Sequence, residues 1–186
     1  LHFGPWDTRD HDKPFYGSAA KPAGAAFYPA DMTKEEFDAH LAANPGDKAA
    51  FTSGYTVLRR DEAGALKAVP YSVQYKEWLE PAAELLRQAA AITTIASLKK
   101  FLCLRADAFL SDDYYESEMA WMDLDGPIEI AIGPYETYTD GLFGYKSLIS
   151  PRNRVYYFVE LRVFRSKIPH LLGFLTWKHH FVRIYR

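Results

Sequence analysis

The centre of the chain is committed to helix. Between residues 80 and 121, apolar side chains recur at helical spacing in three successive segments. Glu80-Pro81 opens the first, with Pro81 at an early position where its missing N–H is harmless. Its expected apolar stripe is Leu85, Leu86, Ala89 and Ile92. The second segment covers residues 97–110, with Leu98, Phe101, Leu102, Arg105 and Phe109 near helical spacing and Cys103 in the core. Ser111-Asp112-Asp113 caps the third, which runs to Trp121. A fold built around this block is α+β and mainly helical, with room for only a small β-hairpin or sheet.

The flanks carry the β structure and the turns. Thr33-Lys34-Glu35-Glu36 is a capping box, and Asn44-Pro45-Gly46 stops the helix that it starts. Residues 55–60 and 65–69 read as two strands joined by the turn Asp61-Glu62-Ala63-Gly64, a hairpin. A short helix is expected over residues 71–78. After the turn Asp123-Leu124-Asp125-Gly126-Pro127, a strand is expected over residues 128–132, broken at Gly133-Pro134. Residues 1–31 are rich in Pro, Gly and aromatics, a composition that wraps over a surface with rings as anchors. Residues 155–164 are strand-like in composition. The length of 186 residues fits one domain, with two small lobes allowed.

Composition excludes several classes. Apolar content of 48% and aromatic content of 16% belong to a folded protein rather than a disordered one. No apolar run approaches the roughly 20 residues that span a bilayer. Trp6, Asp7 and Asp10 stand where a signal peptide would be basic and then apolar. Cys103 is the single cysteine, which excludes an internal disulfide or a Cys-based zinc site and suits a reducing, cytoplasmic compartment.

The net charge of -2 hides an asymmetry. Residues 1–150 carry 14 basic and 23 acidic side chains, whereas residues 151–186 carry 8 basic side chains against Glu160 alone. A shift this sharp marks a boundary. The tail reads either as a basic face docking onto an acidic body or as sequence foreign to the rest, after a frameshift or aberrant gene end. Aromatics interleave with its basic residues as in single-strand binders, but the acidic body opposes a nucleic-acid partner.

Familiar catalytic patterns are missing. None of His2, His11, His40, His170, His179 and His180 forms the His-Glu-x-x-His pair that puts two imidazoles and a base on one helix face. Gly141-Leu142-Phe143-Gly144-Tyr145-Lys146-Ser147 imitates a phosphate loop but has two residues between its glycines, not four. A Gly-x-Ser-x-Gly elbow and a Glu-rich Nudix helix are absent, and Ser53 has no evident triad partners. Asp112, Asp113, Glu116 and Glu118 fit a helix start and a solvated face. Asp123 and Asp125 lack the rest of a calcium loop.

One segment resists a bland reading. Glu136, Thr137, Tyr138 and Asp140 follow a strand end in quick succession. They close a stretch, between Arg105 and Lys146, that holds ten Asp or Glu residues and no Lys or Arg. A pocket here would favour a cation such as a peptide's free amine. In an extended segment Glu136 and Tyr138 face one side. Glu136 could then hold an ammonium group, while the Tyr138 hydroxyl donates to a developing oxyanion. A strand-end carboxylate and a half-buried tyrosine account for the same residues without chemistry.

The motifs around these residues resemble a known family. Gly133-Pro134-Tyr135-Glu136-Thr137-Tyr138-Thr139-Asp140, followed by Leu142-Phe143-Gly144-Tyr145-Lys146, is similar to the bacterial branch of the dipeptidyl-peptidase III (M49) family. The likeness extends to His2-Phe3-Gly4-Pro5-Trp6-Asp7, Lys21-Pro22-Ala23-Gly24, the stretch from Phe27 to Phe37, Tyr55-Thr56-Val57-Leu58-Arg59-Arg60-Asp61 and Arg105-Ala106-Asp107-Ala108, and ends near Ser147.

The resemblance implies a zinc exopeptidase of two lobes, one mainly helical and metal-bearing, one mixed α/β. Residues 1–150 would be a partial domain from the lobe facing the metal. It implies that Glu136 binds the peptide's N-terminal amine, that Thr137 and Asp140 line the substrate site and that Tyr138 stabilises the tetrahedral intermediate. The family's zinc helix and later Glu ligand are not found in these residues, so the metal implied for the family has no ligands here. Zinc-dependent release of dipeptides is the implied activity, with the chain inactive by itself. The competing reading is a non-catalytic module that binds a peptide or protein in an acidic cleft. Either reading takes a peptide or the rest of a longer protein as partner. The charge break and the end of the likeness coincide near residue 150, which favours a truncated or frameshifted product.

Overall fold

The computed structural model describes residues 5–7, 10–126 and 130–152. Residues 153–186 of the basic tail, with the strand-like run, His170, His179 and His180, lie outside the described residues, as do Ile128 and Glu129 of the expected strand. The described residues divide into two compact units, one running up to Lys76 and including Gly133–Ser150, the other beginning at Glu77 and holding the central helices. Helices and small two-stranded sheets make the fold α+β.

In the first unit, β1 (Trp6–Asp7) pairs antiparallel with β2 (Lys13–Pro14). The helix α1 (Lys34–Ala43) starts where the Thr33 hydroxyl accepts from the Glu36 amide at 3.1 Å. The Glu36 carboxylate is drawn mainly to Arg60, at 2.8 and 3.0 Å, which holds it below the usual carboxylate range. Asn44 closes the helix, its backbone N–H donating to the His40 carbonyl at 2.8 Å. A 3₁₀ turn (Pro45–Asp47) then leads into α2 (Lys48–Thr52).

The hairpin comprises β3 (Thr56–Arg60) and β4 (Leu66–Pro70), with Val57 opposite Val69 and Arg60 opposite Leu66. Its turn is built on Asp61, whose Oδ1 accepts from the amides of Ala63 and Ala65, both at 2.9 Å. Gly64 takes the left-handed φ of +83° that the turn needs. The short helix α3 (Tyr71–Gln74) follows. Phe27, Phe37, Phe51, Val57, Leu58 and Tyr71 are all buried. Of the N-terminal rings, Phe27 and Tyr28 are the anchors, whereas Phe15 and Tyr16 are exposed. Trp6 is tied by its indole N–H to the Ala19 carbonyl at 2.7 Å.

The second unit is helical. Its first helix, α4 (Lys76–Ile92), begins four residues before the expected start at Glu80, so Pro81 stands inside it. There it removes one bond to the preceding turn. The buried stripe is Leu79, Ala83 and Ala90, with Leu86 packed beside it. Leu85 and Ile92 are 64% and 84% exposed, so the expected stripe lies partly on the wrong face. Both sets satisfy a helical repeat, and only tertiary packing selects one. Ile92→Ser is therefore expected to change stability by less than about 0.5 kcal/mol, measured by urea denaturation.

Helices α5 (Ala96–Ser111) and α6 (Tyr115–Met122) complete the unit. Leu98, Phe101, Leu102, Ala90, Ala120 and Leu124 form its core, with Cys103 only partly buried beside them. Arg105 is wholly buried, its Nη2 donating to Glu118 at 2.7 Å and its guanidinium lying 5.3 Å from the ring centres of Phe101 and Tyr114.

The last strands are β5 (Ala131–Glu136) and β6 (Leu148–Arg152), which pair with each other. The expected break at Gly133-Pro134 is not a break, because β5 continues through both residues to Glu136. Pro134 lacks an N–H, so its nitrogen adds no hydrogen bond to the ladder.

Candidate functional site

The four candidate residues fall on two kinds of backbone. Glu136 is the last residue of β5 and is half-buried. Thr137 to Asp140 form a turn, closed by the Asp140 amide donating to the Thr137 carbonyl at 3.1 Å. The alternation of a strand therefore does not carry from Glu136 to Tyr138. Thr137 is exposed, and Tyr138 stands on the turn with 62% of its surface exposed.

Asp140 differs from its neighbours. It is only 4% exposed, and both carboxylate oxygens are engaged. Oδ1 accepts from the amides of Leu142 and Phe143, each at 3.1 Å. Oδ2 accepts from the amides of Tyr145 (2.9 Å) and Lys146 (3.1 Å) and from the Tyr28 hydroxyl (2.7 Å). Four amides and a phenol thus surround the carboxylate that the resemblance places among substrate contacts. Burial first, then Asp140 itself, pushes the Tyr28 phenol well above its ordinary range, so it stays a donor.

The loop returns to the body at Lys146. This side chain is wholly buried, and its ammonium donates to the Phe51 carbonyl (2.7 Å), the Ser53 carbonyl (2.9 Å) and the Thr56 hydroxyl (2.8 Å). Three donors meet three acceptors. A phosphate-holding role for this loop is thereby excluded, since the lysine faces carbonyls inside the fold. Ser147 continues the docking, its amide donating to the Gly54 carbonyl at 3.0 Å and its carbonyl accepting from the Tyr71 hydroxyl at 2.8 Å. A methyl group on Gly54 would sit 2.8 Å from the Ser147 hydroxyl and 3.4 Å from the Tyr145 carbonyl, so the loop packs closely here.

The sequence shows Lys146 as the end of the acidic stretch, in the imitation of a phosphate loop and in the family-like motif, none of which points to a buried anchor. The signal that does point to the loop's closure is the Asp140-Gly141 pair with Gly144 beyond it, turn chemistry in which an Asp accepts nearby amides. Several acids of that stretch are also already engaged: Asp107 pairs with Arg87 and Glu118 with Arg105, both at 2.7 Å, and Asp113 accepts from the Tyr115 amide at 3.2 Å.

Other candidates are structural. Ser53 accepts from the Tyr55 amide at 3.1 Å. His40 contacts Asp47 at 2.8 Å and stacks on Phe51. Among the described residues, no three His, Cys, Asp or Glu side chains come together in a way that could hold a metal ion. No described helix is long and apolar enough to cross a membrane.

Comparison with solved structures places this geometry. The structure of dipeptidyl-peptidase III from Caldithrix abyssi superimposes with a TM-score of 0.76 at 53% identity, covering 89% of this chain and 32% of that one. The chain is dipeptidyl-peptidase III-like. A second dipeptidyl-peptidase III, from Corallococcus sp. strain EGB, gives a TM-score of 0.73 at 48% identity over 78% of the chain and 28% of its own length. The dipeptidyl-peptidase III-like chain thus spans about a third of these structures. It is also 42% identical over 148 residues to Nudix hydrolase 3 of Arabidopsis thaliana, a match that covers 68% of this chain and 19% of that protein. The Nudix name belongs to that longer protein, since the Glu-rich helix of that chemistry does not occur in these residues. No family model matches the chain.

Proposed function

We propose that this chain supplies part of the substrate-binding side of an M49-type dipeptidyl-peptidase, with Glu136, Thr137 and Tyr138 as peptide contacts. The observation that carries the reading is the 53% identity to a dipeptidyl-peptidase III over 89% of the chain. The local geometry supports it. A carboxylate at the end of a strand is held on a rigid element. Glu136 would pair with the peptide's free amine, and Thr137 would shape the cleft wall. The Tyr138 hydroxyl would donate to the carbonyl oxygen as negative charge builds there. A zinc-bound water is the nucleophile the family implies. The described residues do not fit such a metal, so no step through it is assigned to them. The lone, partly buried Cys103 suits a reducing, cytoplasmic setting.

Two measurements test the reading. In calorimetric titration, tetra-alanine with a free amine should bind, and Glu136→Gln should weaken it at least tenfold, about 1.4 kcal/mol. N-acetylated tetra-alanine should bind no better to wild type than to the variant. Equal affinities for the free and acetylated peptides would remove Glu136 from the amine site. With added zinc and a chromogenic dipeptide substrate, the 186-residue chain should release no product. Release abolished by Tyr138→Phe would instead show that these residues suffice for catalysis.

A further inference from the structure

We propose that Asp140 and Lys146 are positioning residues for the peptide site, holding the turn on which Tyr138 stands. This rests on the reading of Tyr138 as a peptide contact and adds two residues to it, neither of which would touch substrate.

The inference follows from how the loop is closed. Thr137 to Asp140 is a single turn with one backbone bond of its own, at 3.1 Å. Local opening of a turn is resisted by the ties its backbone makes to the rest of the fold. The residue that ends the turn supplies several. Asp140 gathers the amides of four of the next six residues and the Tyr28 hydroxyl around one buried carboxylate. The loop thereby becomes a closed ring of hydrogen bonds, tied at one side to a residue 112 positions earlier in the chain.

Lys146 locks the other end. Its amide belongs to the Asp140 ring, while its ammonium reaches Phe51, Ser53 and Thr56 at 2.7 to 2.9 Å. The Thr56 hydroxyl in turn donates to the Ala50 carbonyl at 2.7 Å, which anchors the lock in the junction between α2 and β3. Gly141 fits against this body closely enough that a Cβ would lie 3.0 Å from the Ala23 carbonyl. A buried carboxylate and a buried ammonium, both saturated by partners, are more than a surface turn requires. Their joint effect is to make the backbone at residues 137–140 as rigid as the body it docks on. A group meant to meet a developing charge needs such support, because a misplacement of about 1 Å can cost roughly a hundredfold in rate.

The test reads order and binding separately. Backbone order parameters of Thr137 and Tyr138, from nitrogen-15 relaxation, should be about 0.85 in wild type and fall below about 0.6 in Asp140→Asn and in Lys146→Met. Those of α1, in the same unit, should not change, which shows that this unit is folded in the variants. Tetra-alanine affinity should fall at least tenfold in the same variants. Should either variant fail to fold, Tyr28→Phe removes one donor from the ring and leaves the carboxylate, with a smaller fall in the same order parameters and a two- to threefold loss of affinity. Unchanged order at Thr137 and Tyr138 in a folded variant would overturn the proposal. So would loss of order with full peptide affinity. If order falls as expected but wild type never binds tetra-alanine, the peptide-site reading fails, and with it the substrate role of the lock.

Discussion

Asp140→Ala is expected to lower stability by about 3–5 kcal/mol, the largest effect of any single polar substitution in the first unit. The alanine leaves four backbone amides and the Tyr28 hydroxyl facing a site that is only 4% exposed. Each buried donor without a partner costs about 1–3 kcal/mol, and the sum is reduced because water enters the gap. Asp61 provides the comparison. It also accepts two amides at 2.9 Å, but in an exposed hairpin turn where water can replace it. Asp61→Ala should therefore cost only about 1 kcal/mol. Urea denaturation followed by circular dichroism measures both. A cost for Asp140→Ala no greater than that for Asp61→Ala would mean the carboxylate is not the hub of its loop.

The same contrast explains what the sequence could reveal. Thr33 with Glu36, and Asp61 with Gly64, state their roles within four residues, so the start of α1 and the hairpin turn are legible from local chemistry alone. The stripe of α4 is not. Leu79, Ala83, Leu86 and Ala90 repeat as well as Leu85 and Ile92 do, and the choice between faces is made by helices elsewhere in the chain. Gly133-Pro134 reads as a breaker because neither residue favours a strand, yet β5 runs through both. Asp140 is the most instructive case. Its place in an acidic stretch after a strand end looks like a ligand site. Its partners are backbone amides, which every sequence has, and a tyrosine 112 residues away. The charge of Lys146 misleads in the opposite sense. It looks like the cation that ends an acidic field, yet its ammonium is held by two carbonyls and a hydroxyl.

Lys146 should also give the protein a distinctive dependence on pH. Burial pushes its amine down from 10.5 to about 8, with the nearby Asp140 charge opposing part of that fall. In the unfolded chain the amine keeps its proton up to about pH 10.4. Below about pH 8 both states are protonated, and the penalty for burying the charge is fully present. Between about 8 and 10.4 the unfolded state holds the extra proton, so this group makes folding more favourable as pH rises. The full amplitude is about 3 kcal/mol, since each tenfold change in proton affinity is worth about 1.4 kcal/mol. Other groups titrate in this window, so the useful quantity is a difference. Stability of wild type minus that of Lys146→Met, from urea denaturation at pH 7 to 10, should be flat to about pH 8 and then climb. The neighbours do not mimic this signal: the Tyr28 phenol is held far above its ordinary range, and Thr56 does not titrate. A difference curve that falls with pH would mean that the three acceptors favour the ammonium by more than burial disfavours it. In that case hydrogen bonding, and not desolvation, would set the charge state at the foot of the Tyr138 loop.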